Sequence, residues 1–247
     1  MLQILDAARD IPANHGAAFA WERMDPDMQT IGGLSWPSKM PGAAFGLPPE
    51  ACNVGARMAA IPGTVCSACY AMRGQYSFGD ATAAQQRRLL LLYGTDATTW
   101  VNAFVRVLEK ARVDFFRWHD SGDIQGVWHL QRIVDVCRAT PHIRHWLPTR
   151  EIAVVRAFQA QARAQQAAGL DAGIFPPNLV VRISGNKPDQ PAPQVEGCTT
   201  AAVYTAGKIP VQGEACHAYD VNGKMRPEGC GDCRLCWSDK AVAYPFH

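Results

Sequence analysis

Four segments in the middle of the chain have the composition and apolar spacing of helices. They cover residues 81–93, 98–111, 126–139 and 151–168. Short apolar or β-branched runs alternate with them and predict strands at residues 114–119, 142–147, 179–183 and 202–205. This alternation favours an α/β fold with a mainly parallel sheet and right-handed crossovers, either a barrel or part of one. No GxGxxG or P-loop motif is present, so neither a Rossmann dinucleotide domain nor an NTPase is indicated.

Polar side chains follow three of the predicted strands at the point where each strand ends. They are His119, Asp120, Ser121 and Asp123 after the first, Arg150 after the second and Ser184 after the third. Because such strands end at one rim, these groups predict a pocket for a polar ligand. A structural alternative exists for some of them: Ser121, Asp123 and Thr149 are suited to capping helices, and Ser184 to a turn. His119, Asp120 and Arg150 are not needed for capping.

Composition restricts the classes of protein that the chain can belong to. Of 247 residues, 48% are hydrophobic and 19% are charged, which is enough apolar material for a packed core. The net charge of +2 does not indicate a nucleic-acid-binding protein. A local basic patch would still be formed by Arg87, Arg88, Arg106, Lys110 and Arg112 if their side chains share one surface. The first 16 residues lack a basic region and a long apolar stretch, and no apolar run reaches the length of a membrane span. We therefore expect a cytoplasmic protein.

Nine cysteines are many for a chain without an export signal, because disulfides are unstable in a reducing cytosol. The densest group is Cys230, Cys233 and Cys236, with Cys216 upstream. Two consecutive CxxC steps place three thiols on one tight turn, and the fourth completes a four-sulfur shell. Such a shell selects an iron–sulfur cluster or zinc, and the CxxCxxC spacing favours the cluster.

A second group is formed by Cys66 and Cys69, with Cys52 one loop upstream. Three cysteines would hold three corners of a cubane and leave one iron open. The structural alternative is a closed site completed by Cys198 or a histidine. Cys137 lies in a predicted amphipathic helix and is interpreted as a buried core thiol, whereas the residues around Cys198 leave its role undecided.

The segments FRWHDSGDIQ and TPHIRHWLPTRE resemble a bacteriophage family known as gene product 88-like proteins, and the similarity continues through CYAMRGQY and CGDCRLCW. The resemblance implies a relative of the radical S-adenosylmethionine (SAM) barrel with cysteines suited to iron–sulfur binding. For a phage-encoded protein it also implies a location in the host cytoplasm. By motif, it assigns Cys66 and Cys69 to the N-terminal group and Cys230, Cys233 and Cys236 to the C-terminal one. The CxxxCxxC motif of radical SAM enzymes and a GGE-like segment for the SAM amino group are absent, so SAM itself is not indicated.

We therefore expect one α/β domain, a partial (β/α) barrel resembling radical SAM enzymes. Its core would span residues 79–210, between cysteine-containing segments at 1–78 and 211–247. The first functional hypothesis is an iron–sulfur protein with one or two clusters, most simply [4Fe–4S], and redox or radical chemistry on a small polar ligand or with a redox partner. The second is a metal-stapled module, with zinc or a structural cluster, that binds nucleic acid or a host protein without catalysis.

Overall fold

The computed structural model of the protein describes residues 25–170 and 174–246. Its helices are α1 (Pro26–Ile31), α2 (Asn53–Ala59), α3 (Gly79–Gly94), α4 (Ala97–Ala111), α5 (Val127–Ala139) and α6 (Ile152–Ala167). Its strands are β1 (Ala43–Phe45), β2 (Phe115–Trp118), β3 (Arg144–Thr149), β4 (Leu179–Ser184), β5 (Thr199–Thr205), β6 (Glu214–Ala215) and β7 (Val242–Phe246). The N-terminal stretch in which no secretory signal is expected lies outside the described residues.

The strands form one seven-stranded sheet in the order β1-β2-β3-β4-β5-β7-β6, and all its pairings are parallel. Each of the strands β2 to β5 lies beside the strand that precedes it in the sequence. When parallel strands follow one another in this order, right-handed crossovers carry the intervening helices to the same face. The other face is left for segments that are not part of the strand–helix alternation.

The main core lies between the sheet and the helices. Phe116 and Trp118 of β2 pack there against Trp100 and Phe104 of α4, with ring centroids 4.8 Å apart for Phe104 and Trp118. The intervening Arg117 lines the opposite face, as strand alternation requires. Cys137 is fully buried in this core, which confirms its interpretation as a core thiol.

The predicted helices and strands of the middle region are confirmed, with ends shifted by a few residues. Three strands were not predicted: β1 and β6 have only 3 and 2 residues, and β7 contains Pro245. Because β1 and β7 join the sheet, the sheet extends beyond residues 79–210 into both cysteine-containing segments. Within the described ranges, no helix has the length and apolar character needed to cross a membrane.

The basic residues considered as a nucleic-acid surface have contacts within the protein. Arg106 and Lys110 form ion pairs with Asp27, at 2.7 and 3.0 Å. The Arg87 and Arg88 side chains donate to the carbonyls of Gly32 and Gly33, and Arg112 ends α4 in a left-handed conformation. These contacts account for the basic residues through helix packing and capping.

Candidate functional site

A cavity of about 460 Å³ lies on the face of the sheet opposite the main core. Both cysteine groups contribute to its walls. The cysteines that line it are Cys52, Cys66, Cys69, Cys216, Cys230 and Cys236. The predicted strand-end residues that line it are His119, Ser121, Asp123, Arg150 and Ser184. The two cysteine groups are separated in the sequence by most of the strands of the sheet, yet both face this cavity.

The N-terminal cysteine group is built around a short turn and a short helix. Cys52 directly precedes α2, and Cys66 begins a 3-10 turn that ends at Cys69. Gly55 of α2 lets the thiols approach, because a Cβ at this position would lie 2.9 Å from Cys52 Cβ and 3.7 Å from Cys66 Sγ. The absence of a side chain at Gly55 therefore sets the packing of two of the three thiols.

Three hydrogen bonds hold this segment against the carboxyl ends of the central strands. The Val54 N–H donates to Glu151 Oε1 at 2.7 Å, and the Val65 N–H donates to the Asn186 carbonyl at 2.9 Å. The Tyr70 hydroxyl donates to the Asp120 carbonyl at 2.6 Å. The three acceptors follow β2, β3 and β4, so the rim predicted as a pocket holds the N-terminal cysteine group in place.

The C-terminal cysteine group lies on a loop between β6 and β7. The Cys233 N–H donates to the Cys230 carbonyl at 2.8 Å, which closes the first CxxC turn, and the Cys236 thiol lies 3.1 Å from the Tyr244 hydroxyl. The turn packs on Lys39, whose carbonyl accepts from the Cys230 N–H at 2.8 Å. Cys233 does not line the cavity, but its charge acts on the other three thiols of this group.

Arg182 holds this loop on the sheet. Its side chain is fully buried and donates to five main-chain carbonyls. These carbonyls belong to Thr200, Leu235, Cys236, Ser238 and Lys240, at 2.8–3.3 Å. A buried arginine can satisfy several carbonyls at once because it carries five N–H donors in a fixed plane. The second turn of the cysteine motif is therefore fixed by one strand residue.

The strand-end polar residues do not cap helices. Asp123 accepts from the Thr149 hydroxyl at 2.6 Å and from the Ile124 and Arg150 N–H groups at 2.8 and 2.9 Å. Ser121 donates to the Leu47 carbonyl at 2.9 Å. The residue at the N-cap of α5 is Gly126, which has no capping side chain. Burial raises the pKa of Asp123 to about 6 despite these hydrogen bonds. This network joins the ends of β2 and β3.

His119 is buried at the edge of the cavity in a strained conformation. Its side chain is 3% exposed and its φ of 55° lies in the left-handed region that non-glycine residues rarely adopt. Burial and the charge of Arg117 lower its pKa to about 3, so the ring is neutral. Neither ring nitrogen has a hydrogen-bond partner within the described part of the chain. Strain of this kind concentrates at functional sites.

Burial favours the protonated form of five of the six cavity thiols. It raises the pKa of Cys216 to about 12 and raises those of Cys52, Cys66, Cys230 and Cys236 as well. Cations lie beside both groups and act in the opposite direction. The charge of Arg150 lowers the pKa of Cys66, whereas Lys39 and Arg234 act on Cys230, and Arg182 and Arg117 on Cys236.

Within residues 25–170 and 174–246, no three histidine, cysteine, aspartate or glutamate side chains lie close enough to share one metal ion. Cys198 lies with neither cysteine group and packs against the main core instead. Asp120 is buried beside the cavity, and its Oδ2 lies 3.5 Å from the Tyr76 hydroxyl, which can donate to it.

Sequence reasoning missed Arg117 and Arg182 as site residues. Each is a charged residue inside an otherwise apolar strand, in FFRW and LVVRI. A polar residue at an intended core position is an exception that calls for a functional or structural reason. The sequence therefore contained a signal for both residues. Because side chains alternate between the two faces of a strand, both arginines lie on the face of the sheet away from the helices.

No curated protein matches the chain, and no solved structure matches it. A sequence profile of the family described as gene product 88 matches residues 19–239. The match includes both cysteine groups and the strand-end residues of the cavity, so this chain belongs to the gene product 88 family.

Proposed function

We propose that this protein is an iron–sulfur protein whose two cysteine groups face a common cavity, where a redox or radical reaction takes place on a small polar substrate. The observation that carries the proposal is the convergence of six cysteines from both ends of the fold on one cavity. Cys216, Cys230 and Cys236 would hold a C-terminal cluster together with Cys233, which does not line the cavity. Cys52, Cys66 and Cys69 would hold a second.

The donor set fits a thiolate-bound cluster. Soft thiolate shells select iron–sulfur clusters or zinc, and the ligands must be deprotonated when the metal binds. A cluster bound by thiolates is an anion, which in a buried site requires nearby positive charge. Arg150 lies beside the N-terminal group, and Arg182 and Arg234 lie beside the C-terminal group.

The strand order supports the finer part of the proposal, a partial barrel like that of radical SAM enzymes. Parallel strands that follow one another in sequence leave one sheet face free for a reaction chamber. The absence of the CxxxCxxC motif leaves SAM outside the proposal. A bound cluster would supply electron transfer or an open iron site, and the protein would supply the chamber around it.

The residues of the chain have separable roles in this chamber. Glu151 and Tyr70 hold the N-terminal cysteine segment on the strand ends, and Arg182 holds the C-terminal loop. Asp123 fixes the main chain at Arg150. Trp146 and Tyr244 form an apolar wall that excludes water from the thiols.

The test is anaerobic purification followed by visible absorption, quantitation of iron and sulfide, and EPR after reduction. Two [4Fe–4S] clusters give about eight iron and eight sulfide per chain and a brown protein that dithionite bleaches. Cys230→Ala and Cys66→Ala should each lower the iron content by about half. Cys198→Ala is the matched control and should keep the full content, because this thiol packs against the core.

A colourless protein with one or two equivalents of zinc would overturn the proposal and favour the metal-stapled binding module. Loss of iron in Cys198→Ala but not in Cys230→Ala would show that the ligand assignment is wrong. The metal content of the wild type and the iron content of the variants can both be interpreted without knowing the substrate.

A further inference from the structure

We propose that the cavity contains a binding site for an oxyanion, a carboxylate or a phosphate, with Arg117 and Lys39 as the residues that bind it. The site lies between the two cysteine groups. The inference rests on the proposed function for its biological role, since it names the substrate class of that chamber. Binding of the anion itself does not require a cluster.

Arg117 is a buried cation whose donors are almost unused. Its side chain is 9% exposed, lines the cavity and stacks on Trp146, with the guanidinium carbon 4.5 Å from the ring centroid. Its one hydrogen bond within the described residues runs from Nη2 to the Tyr70 hydroxyl at 3.1 Å. Nε is buried without a partner, and no carboxylate in those residues lies within ion-pair distance. An unpaired buried charge is costly, and the guanidinium plane matches an oxyanion.

Lys39 brings a second cation to the same cavity from a different part of the chain. Its Nζ donates to the Tyr219 hydroxyl at 2.9 Å and lies 5.5 Å from the centre of that ring. The two cations are near enough that the charge of Arg117, in addition to burial, lowers the pKa of Lys39. The charge of Asp120 also acts on Arg117, although the two side chains form no ion pair. Two cations that converge on one space are typical of an anion site.

The hydrogen-bond contacts of Arg117 differ from those of the other cations beside the cysteines. Arg150 lies beside Cys66, and Arg182 donates to the carbonyl of Cys236. Arg117 instead contacts Tyr70, the neighbour of Cys69, while its charge also acts on Cys236. An anion bound to Arg117 would therefore lie between the two thiol groups.

His119 is a neighbour of this site at the cavity edge, since the charge of Arg117 acts on it. Both of its ring nitrogens are buried and have no hydrogen-bond partner within the described chain. Because these nitrogens are closed to an occupant of the cavity, the anion site is assigned to the two cations alone.

The experiment measures binding of inorganic phosphate and, separately, of succinate to the anaerobically purified protein. Calorimetry gives the affinity, and tryptophan fluorescence reports on the cavity because Trp146 lies under Arg117. Wild-type protein should bind at least one anion saturably, and the preferred probe distinguishes a phosphate from a carboxylate substrate. Arg117→Met and Lys39→Met should each weaken binding about 10- to 100-fold. Arg117→Lys should recover part of the loss, because it restores the charge.

Lys224→Met is the matched control, since this lysine is exposed and does not line the cavity. If Arg117→Met does not fold, Lys39→Met carries the test. Absence of saturable binding by both anions, or binding unaffected by both variants, would overturn the inference. Iron and sulfide are measured on the same samples. Iron without anion binding overturns this inference alone, whereas anion binding without iron overturns the proposed function alone.

Discussion

The carboxylate of Glu151, at the start of α6, accepts a hydrogen bond from the main-chain N–H of Val54, in the first turn of α2. The side chain is 3% exposed, and the bond of 2.7 Å is the direct link between the end of β3 and the helix that follows Cys52. A negative charge at a helix N-terminus is also favourable electrostatically. Glu151 therefore joins the strand-end network to the N-terminal cysteine segment.

Glu151→Ala should loosen α2 without unfolding the sheet. Loss of an N-terminal cap costs about 1–2 kcal/mol, and here the loss falls on a short helix that has no buried residues of its own. Hydrogen exchange should become faster at residues 53–59 while β2, β3 and β4 stay protected. Glu151→Gln keeps an oxygen acceptor and should lie close to wild type. Equal protection of residues 53–59 in Glu151→Ala and wild type would show that the contact does not hold the helix.

Arg182→Met should destabilise the C-terminal loop strongly. The substitution leaves five carbonyls without their donor, and the expected loss in the free energy of unfolding is on the order of 4 kcal/mol. Urea denaturation measures this loss. Arg156→Met, at an exposed position of α6, is the matched control and should change the stability by less than about 0.5 kcal/mol. Similar midpoints for the two variants would contradict the role assigned to Arg182.

Gly55→Ala should affect the N-terminal cysteine group selectively. The added Cβ would lie 2.9 Å from Cys52 Cβ and would displace that residue or the helix. If the proposed clusters are present, iron content should fall by up to about half while the C-terminal cluster stays loaded. Gly79→Ala is a suitable comparison, because a Cβ there has no neighbour within 4 Å. An unchanged iron content in Gly55→Ala would mean that Cys52 is not a ligand.

The protein should lose stability in mild acid because of its buried neutral histidines. Burial lowers the pKa of His145 to about 3 and that of His129 well below its usual value. Because their pKa values are lower in the folded state, their contribution is complete above about pH 6.5 and is lost as the pH falls. Each costs about 1.4 kcal/mol per pH unit below that value, until the folded pKa is reached.

Urea denaturation at pH 7.5, 5.5 and 4.5 measures this dependence. Asp123, whose pKa is raised, makes the stability fall as the pH rises between about 4 and 6, which is opposite to the effect of the histidines. The comparison of wild type with His145→Gln therefore isolates the contribution of one histidine. The variant should show a shallower decline between pH 6.5 and 4.5. Parallel curves for the two proteins would mean that folding does not lower the pKa of His145.

The elements with strong periodicity were predictable, and the short ones were not. Segments such as 98–111 carry enough apolar positions to indicate one helix face. A strand of 3 residues such as β1 is defined by its neighbour, because Ala43–Phe45 pairs with residues 116–118, far along the chain. Pairing across such a distance leaves no local pattern.

For the site, the sequence indicated which residues carry chemistry, but not how they meet. The two CxxC-containing groups were evident from spacing, yet their convergence on one cavity depends on loops whose paths are fixed by single residues. Glu151 illustrates this, since it is the N-cap residue of α6 but makes no side-chain capping bond there. Its side chain instead serves α2, a helix encoded about 100 residues earlier.

The position of β7 has a consequence for the order of events during synthesis. β7 follows β6 in the chain but lies between β5 and β6, and it brings Tyr244 to the wall of the cavity. The ribosome releases the chain from its N-terminus, so the edge of β5 stays open and β6 has no partner until residues 242–246 have emerged. The thiols of the C-terminal group, at residues 216–236, are therefore exposed on the nascent chain only until β7 docks, whereas those of the N-terminal group, at residues 52–69, wait for strands β2 to β4. If the proposed clusters are present, the C-terminal site has the shorter interval for loading before its last strand docks.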